Sequence, residues 1–413
     1  MSGFARPFRI RNYRFQWPAD LLTSWAFEME TLVLGWYILV ETGSVLLLTV
    51  LASLNFVGTL IAPMFGVIGD RIGHRDLLAM MRAAYAVLSG TLMTLALTGH
   101  LTPAYVMIIV SIMGMIRPSD LGVRGALVAD VMPPELLIGA ISTSRTTQDT
   151  ARIAGALSGA GLFAALGIGP VYVAIMSLYL VGTFLTLCIK LPKKVRAAVV
   201  GEAFALRSPF ADLKEGLAHV WTTPQVRAAM LVAFLVNLTA FPLTGGLLAY
   251  VAREIYATDQ TGLGYLSASF ATGSLAGSMA LSFVTGLRVA RLMIGATAAW
   301  YAALLVFVQL KSVPIAMVCL FLAGFSQSLS MISVAVILMR SVSEHLRGRV
   351  MGVRMMVIYG MPLGLLAAGS LIDLFGFATT GTLYALSGLV LMLAITLHWR
   401  ADLWPVHAAA NAR

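Results

Sequence analysis

Charge is scarce in this chain. Only 11% of its 413 residues are Asp, Glu, Lys or Arg, against about 25% in an ordinary soluble domain. So few ionic groups cannot clothe a water-facing surface of normal size, so the solvent around most of the chain is lipid. Cysteine is nearly absent as well. Cys188 and Cys319 both fall inside apolar stretches, which excludes a disulfide framework and a thiolate metal site and leaves two small packing residues. The six histidines show no metal-ligand spacing. No glycine-rich phosphate loop follows a strand pattern, and no nucleophile can be matched to a base. An enzyme mechanism, a metal, a cofactor or direct ATP coupling has no residues to carry it.

Apolar residues make up 59% of the chain, and its mean hydropathy is +0.89. Stretches of about 20 residues, each long enough to cross about 30 Å of hydrocarbon as helix, can be laid end to end. They fall near 18–40, 45–67, 77–98, 104–127, 140–166, 171–190, 226–250, 262–285, 291–310, 315–339, 350–372 and 381–399. In lipid the backbone must satisfy its own hydrogen bonds, so the fold class is an all-α membrane protein with twelve transmembrane helices.

The basic residues fix an expected orientation. With both termini cytoplasmic, the inner segments hold Arg6, Arg9, Arg11 and Arg14, then Arg71, Arg75 and Arg82, then a run from Lys190 to Arg227, and so on to Arg400. The outer loops hold only Arg253 and Lys311. That asymmetry follows the positive-inside rule, and it explains a net charge of +10 without any nucleic-acid partner. The first apolar run contains Asp20, Glu28 and Glu30 and no small-residue cleavage site, so it reads as a span and not as a removable signal peptide.

The chain also repeats itself. Glu135, Gly139, Gly155 and Gly167 reappear 209 residues later as Glu344, Gly348, Gly364 and Gly376, each in the same topological place. The reading is a duplicated six-helix unit: an N-terminal bundle over 1–191, a cytoplasmic linker over 192–225 and a C-terminal bundle over 226–413 with a short cytoplasmic tail. The linker is charged and contains Pro192, Pro209 and Pro224.

One segment is more specific than any of these patterns. Gly66-Val-Ile-Gly69-Asp70-Arg71-Ile72-Gly73-His74-Arg75-Asp76 is charged and punctuated by glycine, and it is expected to form a short hairpin loop at a membrane face between the second and third spans. It closely resembles the signature loop of the major facilitator superfamily, with Ile68 and His74 as departures. The run Asn12 to Trp17, the pair Gly35-Trp36, and the stretches 151–155 and 347–352 resemble the branch of that superfamily that exports macrolides and siderophores. Many antiporters carry Gly-Pro in the fifth span, whereas here Gly155 precedes Ala156. The resemblance implies the major facilitator fold, two bundles that rock about a cavity at mid-membrane, and an inner gate latched by Asp70, Arg71 and Arg75, with Gly66 and Gly73 in the same motif. Asp70 is then expected to face the start of the eleventh helix near Arg349 and Val350. Asp130 is expected to partner Arg71 or Arg75.

Charges inside spans are costly, at about 2.5–3.5 kcal/mol each on insertion scales, so each needs a partner or a task. The fourth span carries Arg117, Asp120 and Arg124, and the fifth carries Arg145, Asp149 and Arg152, each triplet on one helical face. Two antiparallel stripes are expected to cross-pair, with an arginine surplus left to hold an anionic group through Arg117 or Arg152. In the first span Glu28 and Glu30 lie about 200° apart around the helix, so one is expected at the cavity and the other against a neighbouring helix. A carboxylate held out of water takes up a proton more readily, which makes Glu30, Glu28, Asp149 and Asp120 the proton-coupling candidates. Asn55, Asn237, Gln327 and Tyr359 are substrate-cavity candidates beside Arg117 and Arg152, with hydrogen bonding to neighbouring helices as the alternative reading for each.

The reading that results is a monomeric, multi-pass carrier of the bacterial inner membrane. It works by alternating access and exports a small amphiphilic drug or siderophore in exchange for protons. An organic-anion importer, a lipid or lysolipid flippase and a non-transporting membrane sensor are the alternatives.

Overall fold

The computed structural model describes residues 6–190, 209–283, 288–342 and 344–403, with the side chain of Arg145 among a few outside the description. The chain divides into two compact units, Met1–Phe204 with Ala249–Ala268, and Ala205–Leu248 with Ser269–Arg413.

The first unit holds α1 (Arg11–Thr42), α2 (Val45–Leu54), α3 (Ala62–Ile72), α4 (His74–Leu97), α5 (Pro103–Val131), α6 (Pro134–Leu166) and α7 (Ile168–Leu187). Local chemistry marks their ends. Ser44 caps α2 by accepting from the Leu47 amide, and Thr102 caps α5 ahead of Pro103 at its first turn. The second expected span is broken. α2 and α3 are joined through a short 3-10 turn at Val57–Leu60, and the two arms are bent by 57°.

The second unit holds α8 (Pro209–Thr222) and α9 (Pro224–Thr239), most of α10 (Gln260–Phe283), then α11 (Val289–Phe307), α12 (Val313–Ser341), α13 (Glu344–Val357), α14 (Gly360–Phe375) and α15 (Phe377–His398). Residues 192–208 of the expected linker lie outside the described residues, and the stretch after them is helix α8, tied to α13 by Arg349 and Glu215 at 2.5 Å. In the eleventh span α13 and α14 follow one another closely, and Gly352–Phe375 makes one membrane-length helical stretch.

Among the described residues there is no strand, and seven helices are long and apolar enough to cross a membrane, with the bent pair as an eighth. α1 and α6 are missing from that set for a physical reason. At 32 and 33 residues each is about 48 Å long at 1.5 Å per residue, but each carries several ionic side chains. Elsewhere the outward faces are apolar: Val87, Phe184, Leu374 and Leu397 are all more than three-fifths exposed. Belts of that kind are unstable in water and belong against hydrocarbon.

The internal repeat has structural content. A Cβ on Gly155 of α6 would lie 2.5 Å from Glu28 Cβ on α1, and one on Gly364 of α14 would lie 2.0 Å from the Leu238 carbonyl on α9. The same offset therefore puts a bare backbone where the fifth span crosses the first and where the eleventh crosses the seventh. Gly167 and Gly376 end their helices in nearly identical left-handed geometry, at φ 79° and 75°.

Candidate transport site

The start of α1 is riveted to three helices. Asn12 Nδ2 donates to the Lys190 carbonyl at 2.7 Å and its Oδ1 accepts from the Lys190 amide at 3.2 Å, clamping the end of α7. Tyr13 Oη donates to the Ala140 carbonyl, Gln16 Nε2 to the Arg124 carbonyl and Trp17 Nε1 to Thr147 Oγ1 at 2.8 Å. The run from Asn12 to Trp17 is thus a connector between α1 and α5, α6 and α7. It fixes the depth at which the acidic residues of α1 sit.

Three clusters follow along α1. First along the helix is Asp20, which accepts from Arg82 Nη2, while Arg82 Nη1 donates to Thr186 Oγ1 of α7. Arg82 is 0% exposed. Arg124 stands beside this pair. Its Nε faces Asp120 one turn back on α5 and lies 3.9 Å from Asp20 Oδ1, and its Nη1 donates to Ser24 Oγ at 2.7 Å.

The second cluster centres on Glu30, 1% exposed. Ser89 Oγ of α4 donates to Oε1 at 3.0 Å, and Tyr179 Oη of α7 donates to Oε2 at 3.2 Å. Arg117 Nη2 donates to the same Oε2, its Nη1 reaches Asn55 Oδ1 at 2.6 Å, and its guanidinium lies 4.2 Å from the centre of the Phe27 ring. Every element around Glu30 thus supplies a donor, which is the condition for holding a carboxylate out of water.

The third cluster is looser. Arg152 Nε lies 3.5 Å from Glu28 Oε1, with the side chains 39% and 23% exposed. Both line a cavity of ≈ 210 Å³ together with Phe27, Arg117, Asp120 and Gln148. Tyr85 and Tyr179 line it too, their ring centres 5.5 Å apart. Glu28 is therefore at the cavity and Glu30 is not.

This arrangement departs from the expected lattice. Arg117 and Arg152 reach the carboxylates of α1, and Arg124 pairs within its own helix, so no cross-pairing of the two stripes joins these three arginines to α6 or α5. The reason is topological: α1 packs against α5, α6 and α7 and brings Asp20, Glu28 and Glu30 into the space between the stripes. The arginine surplus goes with it. Asp20, Glu30, Asp120 and Glu28 pair with Arg82, Arg117, Arg124 and Arg152 in turn among the described side chains. Arg82 was expected in an inner basic segment, but α4 begins at His74, so Arg82 lies two turns inside the helix and its charge needs Asp20.

At the signature segment the hairpin shrinks to one residue. α3 continues through Asp70 and Arg71 to Ile72, Gly73 turns the chain at φ 96°, and α4 starts at His74. Gly66 and Gly69 are helical. Asp130 does not meet Arg71 or Arg75. Its Oδ2 is 2.7 Å from His74 Nδ1, and His74 Nε2 is 3.4 Å from Asp70. The histidine that departs from the family pattern thus bridges the two carboxylates. Arg75 pairs with Asp76 and donates to the Ile189 carbonyl at 3.1 Å.

The second unit answers with neutral groups. Ser274 Oγ donates to Gln327 Oε1 at 3.3 Å, Thr297 and Ser330 share a hydrogen bond at 2.6 Å, and Tyr301 and Thr239 share one at 2.7 Å. Asn237 donates to its own helix at Ala233. Tyr359 stands at the start of α14. None of Asn237, Gln327 and Tyr359 lines the cavity of the first unit, and Asn55 acts there through Arg117. Asp20, Arg82, Ser89, Tyr179 and Thr186 were not anticipated as site residues. The available signal was the rule that a charge within a span needs a partner, which applied to Asp20 and Arg82 together.

Membrane-length helices with apolar outward faces, and ionic groups turned inward around a cavity, define a multi-pass membrane protein. The Major Facilitator Superfamily pattern matches residues 17–361, and the chain belongs to that family. The multidrug efflux pump Tap of Mycolicibacterium fortuitum is 29% identical over 190 residues, 45% of this chain and 45% of that protein, so the match spans less than half the length of the relative. The nucleoside transporter NupG superposes with a TM-score of 0.72 at 15% identity, covering 94% of this chain and 99% of that one. The human organic anion transporter MFSD10 (TETRAN) superposes with a TM-score of 0.63 at 18% identity over the same shares. At those identities the structures share the fold.

Proposed function

We propose that this transporter exports small amphiphilic compounds, drugs or siderophores, in exchange for protons, by alternating access in a bacterial inner membrane with both termini cytoplasmic. The observation that carries the reading is the placement of two carboxylates of one helix, Glu28 on the cavity wall and Glu30 buried directly behind it, with arginine partners on different helices. A proton on either acid releases its arginine, so protonation and helix packing are linked. The partial likeness to an efflux pump supports the direction of transport. Asp149 and Asp120 stand as further acids of the same network. Asp70, with His74 and Asp130, is assigned to the gate.

The balance of charge in the first unit favours export of amphiphiles over import of an organic anion, because three of the four arginines are engaged by buried carboxylates. The test is proton release from everted membrane vesicles, followed with a pH-sensitive dye, as drugs, siderophores and organic anions are added in turn. Compound-dependent proton efflux that disappears in Glu28→Gln and Glu30→Gln supports the reading. Compound movement indifferent to the pH gradient removes it.

A further inference from the structure

Glu30 poses a problem of access. It is buried among α4, α5 and α7 and does not line the cavity, yet a proton that changes its state must come from water. The groups bonded to its carboxylate are Ser89, Arg117 and Tyr179. Ser89 and Tyr179 are both buried, at 0% and 1% exposed, but Ser89 is off the cavity wall. Arg117 and Tyr179 both touch Glu30 and line the cavity. A guanidinium has donors only and stays protonated, so it cannot accept a proton from one side and pass it to the other. A phenol both donates and accepts. We propose that Tyr179 is the proton gateway of Glu30: its hydroxyl takes a proton from the cavity side as it gives its own to Glu30 Oε2, and the reverse step returns it.

The step balances without a further reactant. The O–H bond of Tyr179 breaks as one forms on Glu30, and the proton arriving from the cavity restores the phenol. The charged and titratable groups facing the site are Arg117 from α5 and Tyr172 and Tyr179 from α7, with Tyr85 of α4 against the Tyr179 ring. Once Glu30 is neutral, Arg117 keeps Asn55 and the Phe27 face and is free of its carboxylate. Tyr179 thus controls how fast the proton arrives and Arg117 what the arrival does.

This inference rests on the reading of Glu30 as a proton-binding group, and the experiment separates the two. The full-length protein in liposomes is subjected to a rapid pH drop, with the proton itself as the probe and the carboxylic acid C=O stretch followed by time-resolved infrared spectroscopy. A band absent from Glu30→Gln belongs to Glu30. In Tyr179→Phe, which keeps the ring and its contact with Tyr85, the band is expected at comparable final amplitude but to rise about tenfold more slowly or worse, equivalent to about 1.4 kcal/mol on the barrier. Ser89→Ala, which also removes a hydrogen bond to Glu30, is expected to slow the rise by clearly less than Tyr179→Phe does. A wild-type rate in Tyr179→Phe overturns the gateway while leaving Glu30 as a proton site. An equal slowing in Ser89→Ala overturns it too, because the loss of any hydrogen bond would then account for the effect. A wild type with no Glu30 band removes the underlying reading and the gateway with it.

Discussion

Exchanging Asp20 for Asn and Arg82 for Met, singly and together, makes the sharpest test of the buried network. The pair links α1 to α4, and Thr186 of α7 takes the other end of the guanidinium. Removing one member of such a pair costs about 3–5 kcal/mol, because the partner is left charged and out of water; at 1.4 kcal/mol per decade this is roughly two to three and a half orders of magnitude in the folded population. The two single changes are not equivalent. In Arg82→Met the orphaned Asp20 still has Arg124 Nε at 3.9 Å, so a small shift re-pairs it and the loss is expected near the lower figure. In Asp20→Asn the fully buried Arg82 keeps only neutral hydrogen-bond partners, with Asp120 as a more distant counter-charge, and the loss is expected nearer the upper one. The double variant leaves no unpaired charge and is expected to recover most of the stability of the wild type. The assay is chemical unfolding of the purified protein in mixed micelles. Losses that simply add in the double variant would refute the pairing, and equal losses in the two single variants would refute the standby role of Arg124.

Asp70→Asn is expected to lower transport strongly at unchanged expression and membrane insertion, read by vesicle flux beside quantitative blotting; normal flux would remove Asp70 from the gate. Gly364→Ala presses a methyl into the Leu238 carbonyl at 2.0 Å and is expected to cost at least the ~1–3 kcal/mol of overpacking, seen as a lower thermal midpoint in detergent. Asn12→Ala removes both bonds to Lys190, each worth about 0.5–1.5 kcal/mol, and is expected to destabilise the protein without altering its response to a pH gradient. Glu28→Gln, Glu30→Gln and Asp149→Asn, measured in proteoliposomes with an imposed gradient, are expected to uncouple flux from that gradient in at least one case; three wild-type responses would place coupling elsewhere.

Much of the helix pattern was legible in the sequence, because apolar length and terminal glycine or proline are local signals. The spacing of Arg117, Asp120 and Arg124 on one face was legible for the same reason. Their partners were not. Consecutive spans were matched as neighbours, whereas the carboxylates come from α1, remote in sequence and packed against α5, α6 and α7. Glu28 and Glu30 could be assigned to different faces by angle alone, but no local pattern identifies Ser89 and Tyr179 as the groups waiting at the second face. The break in the second span and the single-residue turn at Gly73 also escaped a hydropathy reading, which averages over the very residues that bend the chain.

The acid-rich first helix has a consequence for biogenesis. α1 leaves the ribosome with Asp20, Glu28 and Glu30 but none of their cations: Arg82 follows Asp20 by 62 residues, Arg117 follows Glu30 by 87 and Arg152 follows Glu28 by 124. At about 5–20 residues per second, the last of these partners arrives roughly 6–25 s after its acid. A charge at mid-helix costs about 2.5–3.5 kcal/mol to insert alone, so α1 is least stable in lipid during the interval before α4, α5 and α6 emerge. The order of synthesis thus sets a period in which the first helix carries its acids uncompensated.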